Sequence, residues 1–160
     1  MKLKPTYSSR EVAGITGLTA RQLQLWDASG LASPAIPPRR TAAGGYTERR
    51  YTPIDVFELL VLADLRRHGF SVPQLHRILR ILKEQFGTRL YDATGGGGAL
   101  QLLTDGREVY ARTSRGEFFN LLRTPAQPLL VVGDEGLLRQ LVGKMRRKGR
   151  GARTKKKLQA

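Results

Sequence analysis

Tyr7-Ser8-Ser9-Arg10-Glu11-Val12-Ala13-Gly14-Ile15-Thr16-Gly17-Leu18-Thr19-Ala20-Arg21-Gln22-Leu23-Gln24-Leu25-Trp26 holds two helix starts within one short stretch. Ser8-x-x-Glu11 and Thr19-x-x-Gln22 are capping boxes. In each, the cap oxygen takes an orphan backbone N–H while the acid or amide three residues on reaches back. The spacing predicts a first helix over Ser9–Ile15 with Val12, Ala13 and Ile15 inward. A tight turn follows at Thr16-Gly17-Leu18, and a second helix runs from Thr19 to about Ser29, stopped by Gly30. Leu18, Leu23 and Trp26 would pack on the first helix. Ala20, Arg21, Gln24, Leu25 and Ala28 would then project elsewhere. A short second helix with Arg and Gln on its free face has the form of a DNA-reading helix. Periodicity alone fits an ordinary amphipathic helix with a solvated polar face equally well.

Beyond Gly30, residues 31–51 read as a long basic loop with Pro34, Pro37 and Pro38, and Pro53 just after it. Arg39-Arg40 precede the tip Thr41-Ala42-Ala43-Gly44-Gly45, and Tyr46 and Arg49-Arg50 follow it. Two arginine pairs about a glycine turn predict a β-ribbon presenting guanidinium groups to phosphates or to a minor groove. The plainer alternative is a solvated loop, which has little need of four arginines and a tyrosine.

Two more boxes follow. Thr52-Pro53-Ile54-Asp55 is a weaker one with proline at the first helical position, and Ser71-x-x-Gln74 is complete. The third helix is expected over Pro53–His68 with Ile54, Phe57, Leu60/Val61 and Leu65 inward. Gly69 ends it, and Phe70 folds back on the last turn. The fourth, Val72 to Phe86, carries Leu75, Ile78, Leu79 and Leu82. His68 and His76 fall at a helix end and on a helix surface, where a structural role outweighs a ligand role.

Residues 88–99 read as a flexible linker. Their run Gly95–Gly98 lacks the Gly-Lys-Ser/Thr of a phosphate loop. Residues 100–145 then read as a small β-sheet plus a helix, a unit for dimerisation or partner binding. Leu100–Thr104 and Val109–Thr113 form a hairpin across a two-residue Asp105-Gly106 turn. Strands follow at Phe118–Leu122 and Leu129–Val132. Asp134 caps a last helix bearing Leu137, Leu138, Leu141, Val142 and Met145. So small a sheet needs the first unit or a second copy to pack on. Residues 146–160, with Lys155, Lys156 and Lys157, show no apolar pattern and read as a disordered basic tail. The fold class expected is mainly α with a small β part. A winged helix-turn-helix domain (1–87) comes first, then the β-rich α+β unit and the tail.

Charge is distributed unevenly over the 160 residues. Residues 1–51 carry eight Lys/Arg against three acids, a net +5. Residues 52–143 carry eleven against ten, net +1, and residues 144–160 carry nine and no acid, net +9. A basic excess at both ends points to a polyanion, because each neutralised phosphate releases counterions. There is no cysteine, which removes disulfides and thiolate metal sites and suits a reducing cytoplasm. No apolar run approaches the roughly 20 residues of a membrane span, and Met1–Pro5 lacks the apolar region of a signal peptide. No cofactor or metal site is read. No nucleophile and base pair is recognisable, so an enzyme is not expected.

The residues also resemble a known pattern. Tyr7 to Ala13, Gly17 to Leu23, Gly30-Leu31 and Pro34 look like the first half of a MerR-type DNA-binding domain. Arg49 to Val56, Leu65 to Val72 and Leu75 to Ile78 look like its second half. The resemblance covers roughly residues 7–86. It implies a dimer on DNA, with residues 19–29 in the major groove and the wing, 31–51, on flanking backbone. DNA-contacting residues are then expected at Ser9, Arg10, Thr19, Ala20, Arg21, Gln24, Leu25, Arg39, Arg40, Tyr46, Arg49 and Arg50. Lys155 to Lys157 add a contribution from the tail. Two departures stand out. Gln24-Leu25-Trp26 replaces the family's usual Arg-aromatic-aromatic, and the wing is longer than usual. After Phe86 the chain is similar to a branch with a small β domain, some of whose members are named antitoxins.

The leading expectation is a sequence-specific, dimeric, DNA-binding transcription regulator of the cytoplasm, associated with the nucleoid. The alternatives are an antitoxin that binds a toxin through 100–145 and represses its own operon, and an architectural factor that bends DNA with little sequence preference.

Overall fold

The computed structural model describes residues 2–94, 98–130, 133 and 135–158, with the backbone alone for 135 and 151–158. All four capping boxes close. Ser8 Oγ accepts from Glu11 N at 3.2 Å and starts α1 (Ser9–Thr16). Thr19 Oγ1 accepts from Gln22 N at 3.0 Å and starts α2 (Ala20–Ala28). Thr52 and Ser71 do the same for α3 (Pro53–Arg67) and α4 (Val72–Phe86). Gly17, at φ +76°, gives the left-handed turn that lets α2 follow α1 directly. Phe70 N donates to Leu65 O across Gly69, and the Phe70 ring is buried, which is the expected closure of α3.

Inward faces match the sequence reading for α2 and differ in part for the other helices. Leu18, Leu23 and Trp26 are buried with Val12. Ile15, however, is exposed, and Thr16 takes the inward place by donating its hydroxyl to Val12 O at 2.7 Å. On α3 the buried residues are Val56, Leu59, Leu62, Ala63 and Leu65, whereas Ile54 and Phe57 lie outward. Apolar residues surround this helix on almost every side, so period alone left its phase open. The phase follows Asp55, which is buried and tied to the loop. On α4, Ile81 joins Leu75, Ile78 and Leu82, and Leu79 is half-buried. The histidines serve structure: His68 Nδ1 lies 2.8 Å from Asp64 O, and His76 Nε2 lies 3.3 Å from Ser29 Oγ at the end of α2.

Strand β1 (Tyr7–Ser8) pairs antiparallel with β2 (Arg50–Tyr51), so the end of the basic loop returns to the start of α1. Within the loop the expected ribbon reduces to two isolated bridges, Ile36 with Arg50 and Arg40 with Tyr46. Proline at 37 and 38 removes the donors that a longer ladder would need.

Segment 88–99 contains a short helix, α5 (Leu90–Thr94), with Leu90 and Ala93 buried. Gly95–Gly97 lie outside the described residues. An antiparallel sheet follows in the order β3-β4-β5-β6. Strands β3 (Leu100–Thr104) and β4 (Val109–Thr113) have the expected bounds, with Leu100 opposite Thr113 and Thr104 opposite Val109. Their connection has four residues where the sequence suggested two. Asp105 closes it, its Oδ1 accepting from Arg107 N and Glu108 N at 2.8 Å each. Those two bonds, Glu108's first, hold the Asp105 carboxyl below its ordinary pKa.

Strand β5 covers only Phe118–Asn120, because Asn120 Oδ1 accepts from Leu122 N and Arg123 N and turns the chain early. Strand β6 accordingly runs over Thr124–Leu129, ahead of the expected Leu129–Val132. It keeps Pro125 and Pro128 at the sheet's edge, where prolines are tolerated. Val131 and Val132, and the expected cap Asp134, lie outside the described residues.

Helices and sheet share one apolar core, which runs from Val12 through Leu75 to Val109 and Leu121. The rings of Phe86 and Phe119 meet edge to face at 5.3 Å. Two compact units are distinguished, Met1–Pro128 and Leu129–Ala160. The second contains α6 (Glu135–Leu158). This helix continues through the stretch after Arg146 that was expected to be disordered. Lys and Arg are good helix formers, and adding turns to an existing helix avoids the cost of nucleation. Among the described residues, no helix is long and apolar enough to cross a membrane.

Candidate nucleic-acid interface

Helix α2 is anchored by its inward side chains and held at both ends. Its start is the Thr19–Gln22 box, and Ser29 at its end meets His76 of α4. With Leu23 and Trp26 fixed inward, Ala20, Arg21, Gln24 and Leu25 all face solvent. Leu25 is 54% exposed, a large apolar side chain kept in water next to an arginine and an amide. That set matches the groups presented in a major groove. Arginine suits guanine O6/N7, glutamine suits adenine N6/N7, and an apolar side chain suits the thymine methyl.

Ser9 is half-buried at the first turn of α1, and Arg10 is exposed beside it. Thr19 is exposed, but its hydroxyl is already engaged by Gln22 N, so it reaches outward only through its remaining capacity. Lys4 Nζ pairs with Glu11 at 2.6 Å, and this bond is the main reason the Glu11 carboxyl titrates below its ordinary value.

The loop arginines separate into two kinds. Arg39 and Arg40 are exposed, and Tyr46 is 72% exposed near the tip. Arg49 and Arg50 are half-buried and committed internally. Arg49 Nε donates to Asp27 Oδ2 at 2.9 Å, tying the loop to the end of α2. Arg50 donates to Thr6 Oγ1 through Nε at 3.1 Å and Nη2 at 3.0 Å, and Nη1 reaches Glu48 at 3.2 Å. Tyr51, next along the chain, is fully buried, and burial foremost, then the charge of Asp27, pushes its phenol pKa up. The backbone thus brings all four arginines into one loop but leaves only the first pair turned outward. Side chains of Lys155, Lys156 and Lys157 lie outside what is described.

Sequence reading missed the acids that organise this surface. Asp27 is 22 residues from Arg49, and Asp55 is 20 residues from Ala35, whose N–H it accepts at 3.1 Å. Neither pairing follows a helical or strand period, so no local signal marked it.

Known proteins place this geometry. The family described as MerR HTH family regulatory protein matches residues 7–81. The chain is similar to uncharacterized HTH-type transcriptional regulators of Mycobacterium tuberculosis and Mycobacterium bovis. Identity to each is 29% over 137 residues, covering 86% of this chain and 56% of the relative. It is also similar to the HTH-type transcriptional regulator CueR of Vibrio cholerae, 35% identical over 74 residues, covering 46% of this chain and 49% of that protein. The chain thus spans about half the length of the curated relatives it matches. Two capping boxes one left-handed glycine apart, an outward Arg-Gln-Leu face and this family match agree: residues 7–81 are a MerR-family helix-turn-helix domain.

Proposed function

We propose that the protein is a sequence-specific DNA-binding transcription regulator in which α2 enters the major groove. The observation that carries this reading is the outward set Arg21, Gln24 and Leu25 on a helix fixed by Leu23 and Trp26. The loop over residues 31–51 acts as a wing on flanking backbone through Arg39, Arg40 and Tyr46. Two copies act together, with residues 100–145 as the pairing region. Supporting that is the exposed apolar stripe Leu137, Leu138, Leu141, Val142 and Met145 on α6, in a turn-by-turn spacing that suits a second helix. Genome-wide binding of the tagged protein tests the function: discrete peaks with a shared motif upstream of genes support it, and uniform coverage refutes it.

Arg39 and Arg40 contact phosphates in this reading, while Arg49 and Arg50 hold the loop. Alanine at Arg39 and Arg40 is expected to weaken all duplexes alike. It should lower the log–log salt slope by about 0.9 per lost contact. Alanine at Arg49 should instead lower thermal stability, because Asp27 would be left half-buried without its cation. Thermal melts and salt titrations on the two variants check both halves of the contrast. A salt slope altered by Arg49 and untouched by Arg39 and Arg40 would reverse the assignment.

The basic end, net +9 over residues 144–160, adds affinity without recognition. A chain ending at Arg146 should keep its motif and bind more weakly, most of all at low salt, where charge is least screened. Titration of full and shortened chains against specific and random duplexes at two salt concentrations measures this. Equal binding by both chains would remove the tail from DNA contact.

A further inference from the structure

Arg89, just after the left-handed Gly87 that ends α4, reaches back across 34 residues to Asp55 and across 31 to Glu58. Its Nη2 donates to Asp55 Oδ1 at 3.2 Å, its Nε to Glu58 Oε1 at 2.8 Å, and Nη2 also bonds Glu58. Glu58 Oε2 in turn accepts from Tyr91 N at 3.2 Å, fixing the first turn of α5. Asp55 is the buried partner. Its Oδ2 is shared by two backbone donors, Thr52 N at 2.9 Å and Ala35 N at 3.1 Å. The first closes the cap of α3. The second is a long-range bond to the start of the basic loop, one residue before Ile36 bridges Arg50.

We propose that Arg89 is a positioning residue for DNA binding: by fixing the Asp55 carboxylate it holds Ala35, and through Ala35 it sets where Arg39 and Arg40 stand relative to α2. The inference rests on the DNA-binding reading above and adds to it a residue outside the matched 7–81 segment. The physical argument concerns which bond is lost first. With Oδ1 held by a guanidinium, the plane of the carboxylate is fixed and Oδ2 can serve both donors. Without Arg89 only the two Oδ2 bonds orient the carboxylate about χ2, and the cap donor Thr52 N, three residues away, keeps its bond as the carboxylate tilts. Ala35, 20 residues away on a loop that the neighbouring Ile36–Arg50 bridge keeps close, is the donor whose bond to Oδ2 loosens. Arg89 itself is half exposed, so solvent screening leaves it a small share of global stability and a large share of loop geometry.

The experiment compares the full chain with Arg89→Ala and Arg89→Lys on its best-binding duplex. In Arg89→Ala, hydroxyl-radical protection of the flanking backbone should fade while protection under α2 persists. The log–log salt slope should fall by about 2, at about 0.9 for each of two lost phosphate contacts. In the free protein, hydrogen exchange at the Ala35 amide should quicken while the α2 amides stay unchanged. Arg89→Lys keeps the charge without the fork, so it should fold and restore protection only in part. Adding Arg89→Ala to a chain already carrying alanine at 39 and 40 should cause no further loss. A lowered melting temperature with slope, flank protection and Ala35 exchange all unchanged would make Arg89 merely structural and overturn the proposal. If the unaltered chain protects no DNA, the DNA-binding reading falls and this one with it. That result is recognised before any variant is compared.

Discussion

Alanine at both Arg21 and Gln24 is expected to abolish sequence preference while leaving the fold intact. Each bidentate base contact is worth about 1–3 kcal/mol of discrimination. Their joint loss should therefore cost the preferred duplex roughly 30-fold to 20,000-fold in affinity. Random duplex should lose no more than one cation's share of counterion release. Both side chains are solvent-facing, so stability should move by about 0.5 kcal/mol or less. Anisotropy titrations against specific and random duplexes, with a chemical melt alongside, make the measurement. Equal loss on both duplexes would turn α2 into a phosphate binder, and unchanged affinity on both would remove it from DNA altogether.

The second large effect separates two adjacent residues. Trp26→Ala should cost about 3–5 kcal/mol, because the indole is 4% exposed within the same core as Val12, Leu18 and Leu23. Small domains hold about 5–15 kcal/mol in all, so much of the stability would go with it, and DNA binding would fail through unfolding. Leu25→Ala, one residue earlier and 54% exposed, should change stability by about 0.5 kcal/mol or less yet weaken the preferred duplex. Urea melts of the two variants decide the phase of α2. Comparable destabilisation by both would mean that Leu25 is packed and that the face assigned to DNA is wrong.

These contrasts follow from how the chain encodes its fold. Helix starts were legible because a capping box is local: Ser8 and Glu11, Thr19 and Gln22, Ser71 and Gln74 are each three residues apart, and all three pairs close as read. The β3–β4 hairpin was legible for the same reason, apart from its turn, where a side-chain carboxylate took two backbone donors. The phase of α3 was hidden because its apolar residues occupy nearly the whole circumference, and a contact with Ala35 selects among them. The division of the four loop arginines was hidden as well. Their composition favours phosphate, but Asp27 and Thr6 claim Arg49 and Arg50 from 22 and 44 residues away. Helix α5 escaped notice because five residues beside a glycine run carry too little pattern; Leu90 and Ala93 are buried through tertiary contact. Local chemistry thus marked the starts of α1 and α2, and long-range side-chain bonds decided which loop arginines face outward.

Selection from a random duplex library, run in parallel with the full chain and with the Arg21→Ala/Gln24→Ala variant, tests the central claim that α2 reads sequence. The account predicts that the full chain enriches a defined motif and that the variant, still folded, enriches none or loses the positions under α2. The same motif returned by both proteins, or no motif from the full chain, would contradict it.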